Sequence, residues 1–332
     1  MESKKISTGV NGVGRFGLHL LQYWIENYEH SRFSIDYIND DYLSLDELNT
    51  AVQSDRYLRL KSHVSTTDQA LIVQLPDGST KIIPYTNVEY DQIPWLGKPA
   101  LFLECSGKQT RKEGWNETLT GDTKHVIVSA TSWTADQILV YGFNHEEFAR
   151  DKHGAISYGS CTVNAYVPLA QLLHEQYGVL DSDVNVIHNV PVRQLESFDT
   201  IERRECTLEL VAPHLLDFLD ASNFLVNYSL VPYAGVSLID YRFRLKAGDS
   251  EESIKAFIRD AIKAGSLRRL YGLVATDNGP EEHKFTSHSA VLVEPSIRRV
   301  GENLYLSAYF DNENSVNRYF DLTNYLTRRT TA

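Results

Sequence analysis

The chain is poor in sulfur and has no long apolar run. One methionine and three cysteines serve 332 residues. Cys105, Cys161 and Cys206 form an odd, widely spaced set. That excludes a disulfide framework and points to reduced thiols in a cytoplasmic protein. No stretch reaches the roughly 18 apolar residues of a membrane span, so a membrane partner is not expected. Met1 to Lys5 carry no apolar leader core or cleavage site and run straight into a strand. Positive charge is also short: 32 Lys and Arg stand against 44 Asp and Glu, a net charge of -12. That balance argues against nonspecific binding to nucleic acid or acidic lipid, while leaving room for a local basic pocket.

The length exceeds one ordinary core, so two domains are expected. Ile6–Val10 reads as a strand, and a helix follows through Leu18, Leu20, Leu21 and Trp24. Between them Gly12, Gly14 and Gly17 have G-x-G-x-x-G spacing in a strand–turn–helix setting. There glycine permits a tight turn, close approach of a pyrophosphate and helix–strand packing. The helix N-terminus then favours the anion. Glycines that serve packing alone are the competing reading. A second strand, Phe33–Ile38, ends at Asn39-Asp40-Asp41. An acid there accepts the ribose hydroxyls of NAD and repels the extra phosphate of NADP. A compatible alternative is that Asp40 caps a helix expected over about Leu43–Ala51.

Ala70–Leu75 and Lys81–Tyr85 read as a hairpin around Pro76-Asp77-Gly78. Ala100–Cys105 and His125–Ser129 are apolar runs suited to a parallel sheet buried on both faces. Ligands bind beyond the carboxyl ends of such strands. This places Ser106, Gly107, Ser129 and Thr131 on a cofactor groove. Beyond residue 180 the runs lengthen and alternate: Val184–His188, Leu225–Val231, Gly235–Leu245, Ala290–Val293 and Asn303–Phe310. That pattern predicts an antiparallel sheet with one wet face. A helix over Glu251–Ala264 and a last helix over Asn317–Leu326 accompany it.

Ser160-Cys161-Thr162-Val163-Asn164 lies between a β-like run, Gly154–Gly159, and a helical run, Val167–Tyr177. Cys161 is therefore expected at a strand-to-helix junction, where unpaired backbone N–H groups and the positive helix end favour an anion. A thiol there ionises more readily, and the thiolate is the nucleophile. A small buried cysteine beside a helix is the alternative.

Taken in order, these stretches resemble the phosphorylating glyceraldehyde-3-phosphate dehydrogenase family. Val10 to Gly17 is similar to its opening NAD loop and adds Asn11, Arg15 and Phe16 to the cofactor residues. Ile38-Asn39-Asp40 resembles its ribose-binding strand end and selects Asp40. Glu104–Gly107, Val126–Ala130, Gly142–Glu146, Ser160–Asn164 with Pro168–Ala170, Val186–His188, and Phe310–Glu313 with Asn317-Arg318 resemble further family segments. The resemblance implies an α/β Rossmann domain over 1–160 with a mostly parallel sheet, completed by a C-terminal helix over 313–332. It also implies an α+β catalytic domain over 161–312 with a mixed or antiparallel sheet. NAD would be the cofactor and no metal is implied. Cys161 would attack an aldehyde and His188 would act as its base. Asn312 would orient the nicotinamide, and Ser160 and Thr162 would bind inorganic phosphate. The protein would be a homo-oligomer, a tetramer or a dimer.

The departures cluster around the substrate. Leu230 stands before Val231-Pro232, where the family has the arginine that grips substrate phosphate. Asn189–Gln194 replaces small hydroxyl residues, and no Ser-Thr-Gly turn is recognisable in Arg204–Pro213. Either Arg193, or Arg203 and Arg204, then supplies a new anion site, or the substrate lacks that phosphate. The resulting expectation is an NAD-dependent, thioester-forming aldehyde dehydrogenase with a diverged substrate site. Ordinary oxidation of glyceraldehyde-3-phosphate or erythrose-4-phosphate is one alternative, and a catalytically weak NAD-binding regulatory subunit is another.

Overall fold

The computed structural model describes residues 5–54, 60–190, 195, 200–232, 236–310 and 312–330. The chain divides into two units, 1–159 with 319–332, and 160–318.

In the first unit the elements run β1 (Ile6–Asn11), α1 (Arg15–Glu26), β2 (Phe33–Asn39), α2 (Leu45–Ser54), β3 (Val64–Thr66), β4 (Ala70–Gln74), β5 (Thr80–Thr86), β6 (Leu101–Glu104), α3 (Lys112–Trp115), β7 (His125–Val128), β8 (Gln137–Ile138) and β9 (Ala155–Ser157). Among the described residues they form one nine-stranded sheet in the order β3-β4-β5-β2-β1-β6-β7-β9-β8. β5 through β8 are mutually parallel, and the β3–β4–β5 edge is antiparallel. The apolar runs at β1, β6 and β7 lie in the middle of the sheet, as their burial on both faces requires.

The second unit holds α4 (Cys161–Tyr177), β10 (Val179–Asn189), β11 (Glu202–Arg203), α5 (Thr207–Leu215), β12 (Phe224–Val231), β13 (Ser237–Leu245), α6 (Glu251–Lys263), β14 (Tyr271–Val274), β15 (Ala290–Val293), β16 (Arg298–Val300) and β17 (Asn303–Phe310). The strand order is β11-β12-β10-β13-β17-β15-β14, with β16 on β17. The sheet is mixed: β10 pairs parallel with β12 but antiparallel with β13. Tyr166 of α4 packs on Phe224, Tyr241 and Phe243 of this sheet. The last helix, α7 (Asn312–Thr330), begins in the second unit and ends in the first. There Phe320 packs on Tyr23 and Phe33, and Tyr319 donates to the Ile127 carbonyl at 2.6 Å.

The fold class is the one expected, a mostly parallel α/β sheet beside a mixed α+β sheet. Several boundaries differ. Residue 160 belongs to the second unit, α7 starts at Asn312, and the change of unit falls inside that helix, between Arg318 and Tyr319. α4 starts at Cys161 rather than Val167. The reason is local: the Ser160 hydroxyl accepts from the Val163 N–H and starts the helix before any apolar periodicity appears. Pro168 lies inside α4 and cannot bond to the Asn164 carbonyl. The Tyr271 hydroxyl donates to Asn164 O at 3.2 Å and to Ala165 O at 2.8 Å instead. Among the described residues no helix is long and apolar enough to cross a membrane.

Candidate functional site

Two clusters of the expected residues form, one in each unit. In the first unit Asn11, Gly12, Gly14, Arg15, Phe16, Gly17, Asp40, Ser106, Gly107 and Ser129 gather at the carboxyl ends of β1, β2, β6 and β7. Gly12 has φ +86, and a Cβ on it would collide with the backbone of Ser106. A Cβ on Gly17 would strike the Gly12 carbonyl. Gly14, by contrast, faces open space and caps the N-terminus of α1 without a side-chain acceptor. The three glycines thus divide the work into turn, open approach and helix–loop packing. Phe16 packs on the rings of Tyr158 and Tyr319, which anchors the first turn of α1.

Asp40 is buried and its carboxylate is occupied by the chain itself. One oxygen accepts from the Val13 N–H at 2.6 Å, and the other from Tyr42 and Leu43 at 2.9 and 2.8 Å. It therefore braces the glycine loop against the turn after β2. The helix cap expected of it belongs to Ser44, whose hydroxyl accepts from Glu47 N–H while the Glu47 carboxylate accepts from Ser44. The neighbouring Asp41 pairs with Lys108 beyond the end of β6. Thr131 lies on a cleft of about 600 Å³ with Thr110, Arg111, Glu113, Trp133 and Thr134, beyond the ends of β6 and β7.

In the second unit the first residue of α4 meets the end of β10. Cys161 Sγ lies 3.5 Å from His188 Nε2. His188 Nδ1 is 2.8 Å from the Asn189 carbonyl, a pure acceptor, so Nδ1 carries the hydrogen and Nε2 presents its lone pair to the thiol. The imidazole is held between the rings of Tyr228 and Phe310, each 5.7 Å away. Cys161 is buried, 8% exposed. The other two thiols are buried as well, and burial pushes both above the usual thiol range.

Around Cys161 a set of hydroxyls collects at two helix starts. Ser160 Oγ lies 3.1 Å from Thr162 Oγ1, and Thr207 Oγ1, at the first residue of α5, donates to Ser160 Oγ at 3.4 Å. Cys206 Sγ lies 3.8 Å from Thr162 Oγ1 beneath them. Thr207 carries no motif in the sequence. Its one signal is a short helical pattern, Thr207–Leu215, interrupted by Pro213 and easily taken for loop. Tyr228 likewise carries none. Burial, then the neighbouring Cys161 and Cys206, push its phenol up and keep it a hydrogen-bond donor.

Leu230 is buried and stands opposite His188 in the parallel β10–β12 register. Arg203 reaches Asn227 at 3.4 Å, and Arg204 pairs with Glu202 at 2.8 Å. Arg193 lies outside the described residues. Asn312 is the first residue of α7, and its side chain is likewise outside what is described.

Among curated proteins the chain is similar to glyceraldehyde-3-phosphate dehydrogenases along nearly its whole length. It is 26% identical to glyceraldehyde-3-phosphate dehydrogenase 1 of Bacillus cereus, covering 97% of this chain and 98% of that protein. It is 27% identical to glyceraldehyde-3-phosphate dehydrogenase 2 of Caenorhabditis briggsae over the same shares. Identity to the glyceraldehyde-3-phosphate dehydrogenase of Cereibacter sphaeroides is 26%, over 93% of this chain and 94% of that one. No family model matches the chain. The collinear similarity, at about 26% identity, and the two-unit fold are together consistent with a diverged, glyceraldehyde-3-phosphate dehydrogenase-like protein.

Proposed function

We propose that the protein is an NAD-dependent aldehyde dehydrogenase in which Cys161 forms the covalent intermediate and His188 handles its protons. The observation that carries this reading is the 3.5 Å approach of Cys161 Sγ to a His188 Nε2 whose tautomer is fixed by Asn189. The first unit fits NAD on the geometry of its glycines. Gly14 leaves room where a pyrophosphate must approach, at the N-terminal end of α1, whose dipole favours an anion. Asp40 holds that loop from below and keeps a negative charge near the ribose side. Asn11, Ser106, Gly107 and Ser129 supply the rest of the rim.

The chemistry follows from what each side chain can do. Cys161 gives its thiol proton to His188 Nε2, the sulfur adds to the aldehyde carbon, and His188 returns the proton to the carbonyl oxygen, so that a neutral thiohemiacetal faces a neutral imidazole. NAD, when bound, supplies the hydride acceptor. His188 takes the hydroxyl proton as the carbon is oxidised, which leaves a thioester on Cys161. The start of α4 favours the negative charge that passes between sulfur and oxygen. Ser160, Thr162 and Thr207 present hydroxyl groups beside that thioester, which favours inorganic phosphate as the acyl acceptor. Asn312 is assigned to the nicotinamide amide and Arg193 to a substrate anion on the family pattern and sequence position alone. A cytoplasmic homo-oligomer completes the reading.

The aldehyde itself is taken to differ from glyceraldehyde-3-phosphate. Leu230 offers no charge where a phosphate-gripping arginine is expected, and Arg204 is already paired. The test is NADH formation over matched phosphorylated and unphosphorylated aldehydes, with and without inorganic phosphate. Phosphate-dependent turnover that is lost in Cys161→Ala is expected. Turnover that survives Cys161→Ala would overturn the mechanism, and absence of NADH formation with every aldehyde would favour a regulatory NAD-binding role.

A further inference from the structure

Two adjacent carboxylates stand at the end of β2, and their circumstances differ. Asp40 is nearly spent. A carboxylate offers about four acceptor positions, and the amides of Val13, Tyr42 and Leu43 already occupy three on Asp40. At most one ribose hydroxyl can therefore bond it, and the three amide dipoles offset its charge. Asp41 is open by comparison. Among the described residues its carboxylate has a single partner, the Lys108 ammonium, on Oδ2. The Asp41 side chain is 22% exposed and that of Lys108 is 59% exposed, so water reaches both.

The ion pair also spans the crevice. Asp41 comes two residues after Asn39, the end of β2, and Lys108 comes four after Glu104, the end of β6. β1 lies between these strands, and its carboxyl end leads into the glycine loop. A dinucleotide on that loop brings the 2′ position of its adenosine ribose to the end of the second strand. With Asp40 turned to the loop amides, a phosphate at that position meets Asp41 and Lys108. We propose that Asp41 and Lys108, rather than Asp40, decide between NAD and NADP: Asp41 repels a ribose 2′-phosphate and engages the cation that would otherwise bind it. The inference rests on the NAD site proposed above.

The direction is set by charge. A phosphate monoester carries about -1.5 to -2 at pH 7. At this end of the site it meets the added carboxylate of Asp41 and an ammonium already neutralised by it. The hydrogen bond from Asp41, then the charges of Asp41, Glu89 and Asp40, raise the Lys108 pKa, so the side chain stays a cation. Taking the charge from Asp41 removes a repulsion and frees that cation in one step. Lys108 is a compact charge on a flexible stem and can follow the phosphate. An exposed ion pair is held only weakly, so no folding core depends on it.

The experiment is calorimetric titration of the whole protein with NAD and with NADP, read as the ratio of the NADP Kd to the NAD Kd. Asp41→Asn should lower that ratio at least about tenfold, the scale of one charge-assisted contact, and added salt should shrink the gain. In the double variant Asp41→Asn with Lys108→Ala most of the gain should disappear. Asp40→Asn loosens the glycine loop, so it should weaken both cofactors together and leave the ratio near that of wild type. A ratio unmoved by Asp41→Asn, a gain undiminished in the double variant, or a ratio that moves with Asp40→Asn instead would overturn the inference while leaving the NAD site standing. Absence of binding of either cofactor to the wild type would overturn both. If Asp41→Asn does not fold, Lys108→Ala decides alone: it leaves Asp41 uncompensated, so the ratio should rise, and an unchanged or lower ratio would overturn the inference.

Discussion

Leu230 pairs with His188 across the parallel β10–β12 register, and this sets an uncharged, buried side chain beside the imidazole. A charge-assisted hydrogen bond to a phosphate contributes about 1.5–3 kcal/mol, or roughly 10- to 150-fold in affinity. Remote binding of that kind also orients the reacting carbon. The expected kcat/KM for glyceraldehyde-3-phosphate is therefore below about 10⁵ M⁻¹s⁻¹, the lower part of the range for efficient enzymes. Steady-state rates with this aldehyde and an unphosphorylated analogue of equal length check it. A strong preference for the phosphorylated one would restore ordinary glyceraldehyde-3-phosphate oxidation. Because Leu230 is buried, Leu230→Arg is expected to lower the melting temperature as well, by leaving an unpaired charge in the strand.

The thiols should separate by reactivity. Burial holds Cys105 and Cys206 above the ordinary thiol range, whereas Cys161 faces the His188 lone pair at a helix start. Iodoacetamide at neutral pH is expected to label Cys161 first. His188→Asn removes the base and should slow that labelling about tenfold or more. Peptide mass mapping over time reads both rates, and equal rates in the two proteins would break the proposed pair.

The glycines give a contrast that separates binding from folding. Gly14 has φ -63 and open space at its Cβ position. Gly14→Ala should fold with stability within about 1 kcal/mol of wild type, yet bind NAD far more weakly because the methyl group occupies the approach. Gly17→Ala drives a methyl group into the Gly12 carbonyl and should cost several kcal/mol, as overpacking at a backbone contact does. Thermal melts beside NAD titrations distinguish the two. Tight NAD binding by Gly14→Ala would move the pyrophosphate elsewhere.

Stability of the ligand-free protein should carry a pH trend set by the burial of Glu104. The folded Glu104 value, about 7, lies above the ordinary carboxyl value of 4.5. A raised folded value means that its contribution is fully present below pH 4.5 and is lost as pH rises through 7. The difference corresponds to about 3 kcal/mol. Relative to wild type, Glu104→Gln should gain stability between pH 5 and pH 8 by about that amount. Urea unfolding at the two pH values measures it, and a constant difference would remove the ionisation cost from Glu104.

What the sequence made legible followed from long or punctuated patterns. The glycine triplet, the buried strand at Leu101–Glu104 and the alternating run at Asn303–Phe310 each carry their signal within a few neighbouring residues. The Cys161 stretch was also legible as a junction, although Ser160 starts its helix earlier than apolar spacing suggests. Thr207 and Tyr228 were not legible, because each enters the site by a contact between distant segments: Thr207 through Ser160, and Tyr228 through His188. Asp40 shows a different limit. Its position after β2 was readable, but its commitment to three backbone amides depends on how the turn folds back on the glycine loop. Short elements such as β3, β8, β11 and β16 contain too few residues to show a period.

The passage of α7 from one unit to the other has a consequence for synthesis. Tyr319 and Phe320, which close the core against Phe16, Tyr23 and Phe33, are made only after the entire second unit. A nascent chain that has just emitted residues 1–159 therefore shows an uncovered aromatic wall to its surroundings until Tyr319 and Phe320 leave the ribosome. Its second unit, continuous in sequence, has no such wait. The order of translation thus runs against the order of the domains: the unit begun first is the one completed last, and a chaperone would find its work at the amino-terminal half.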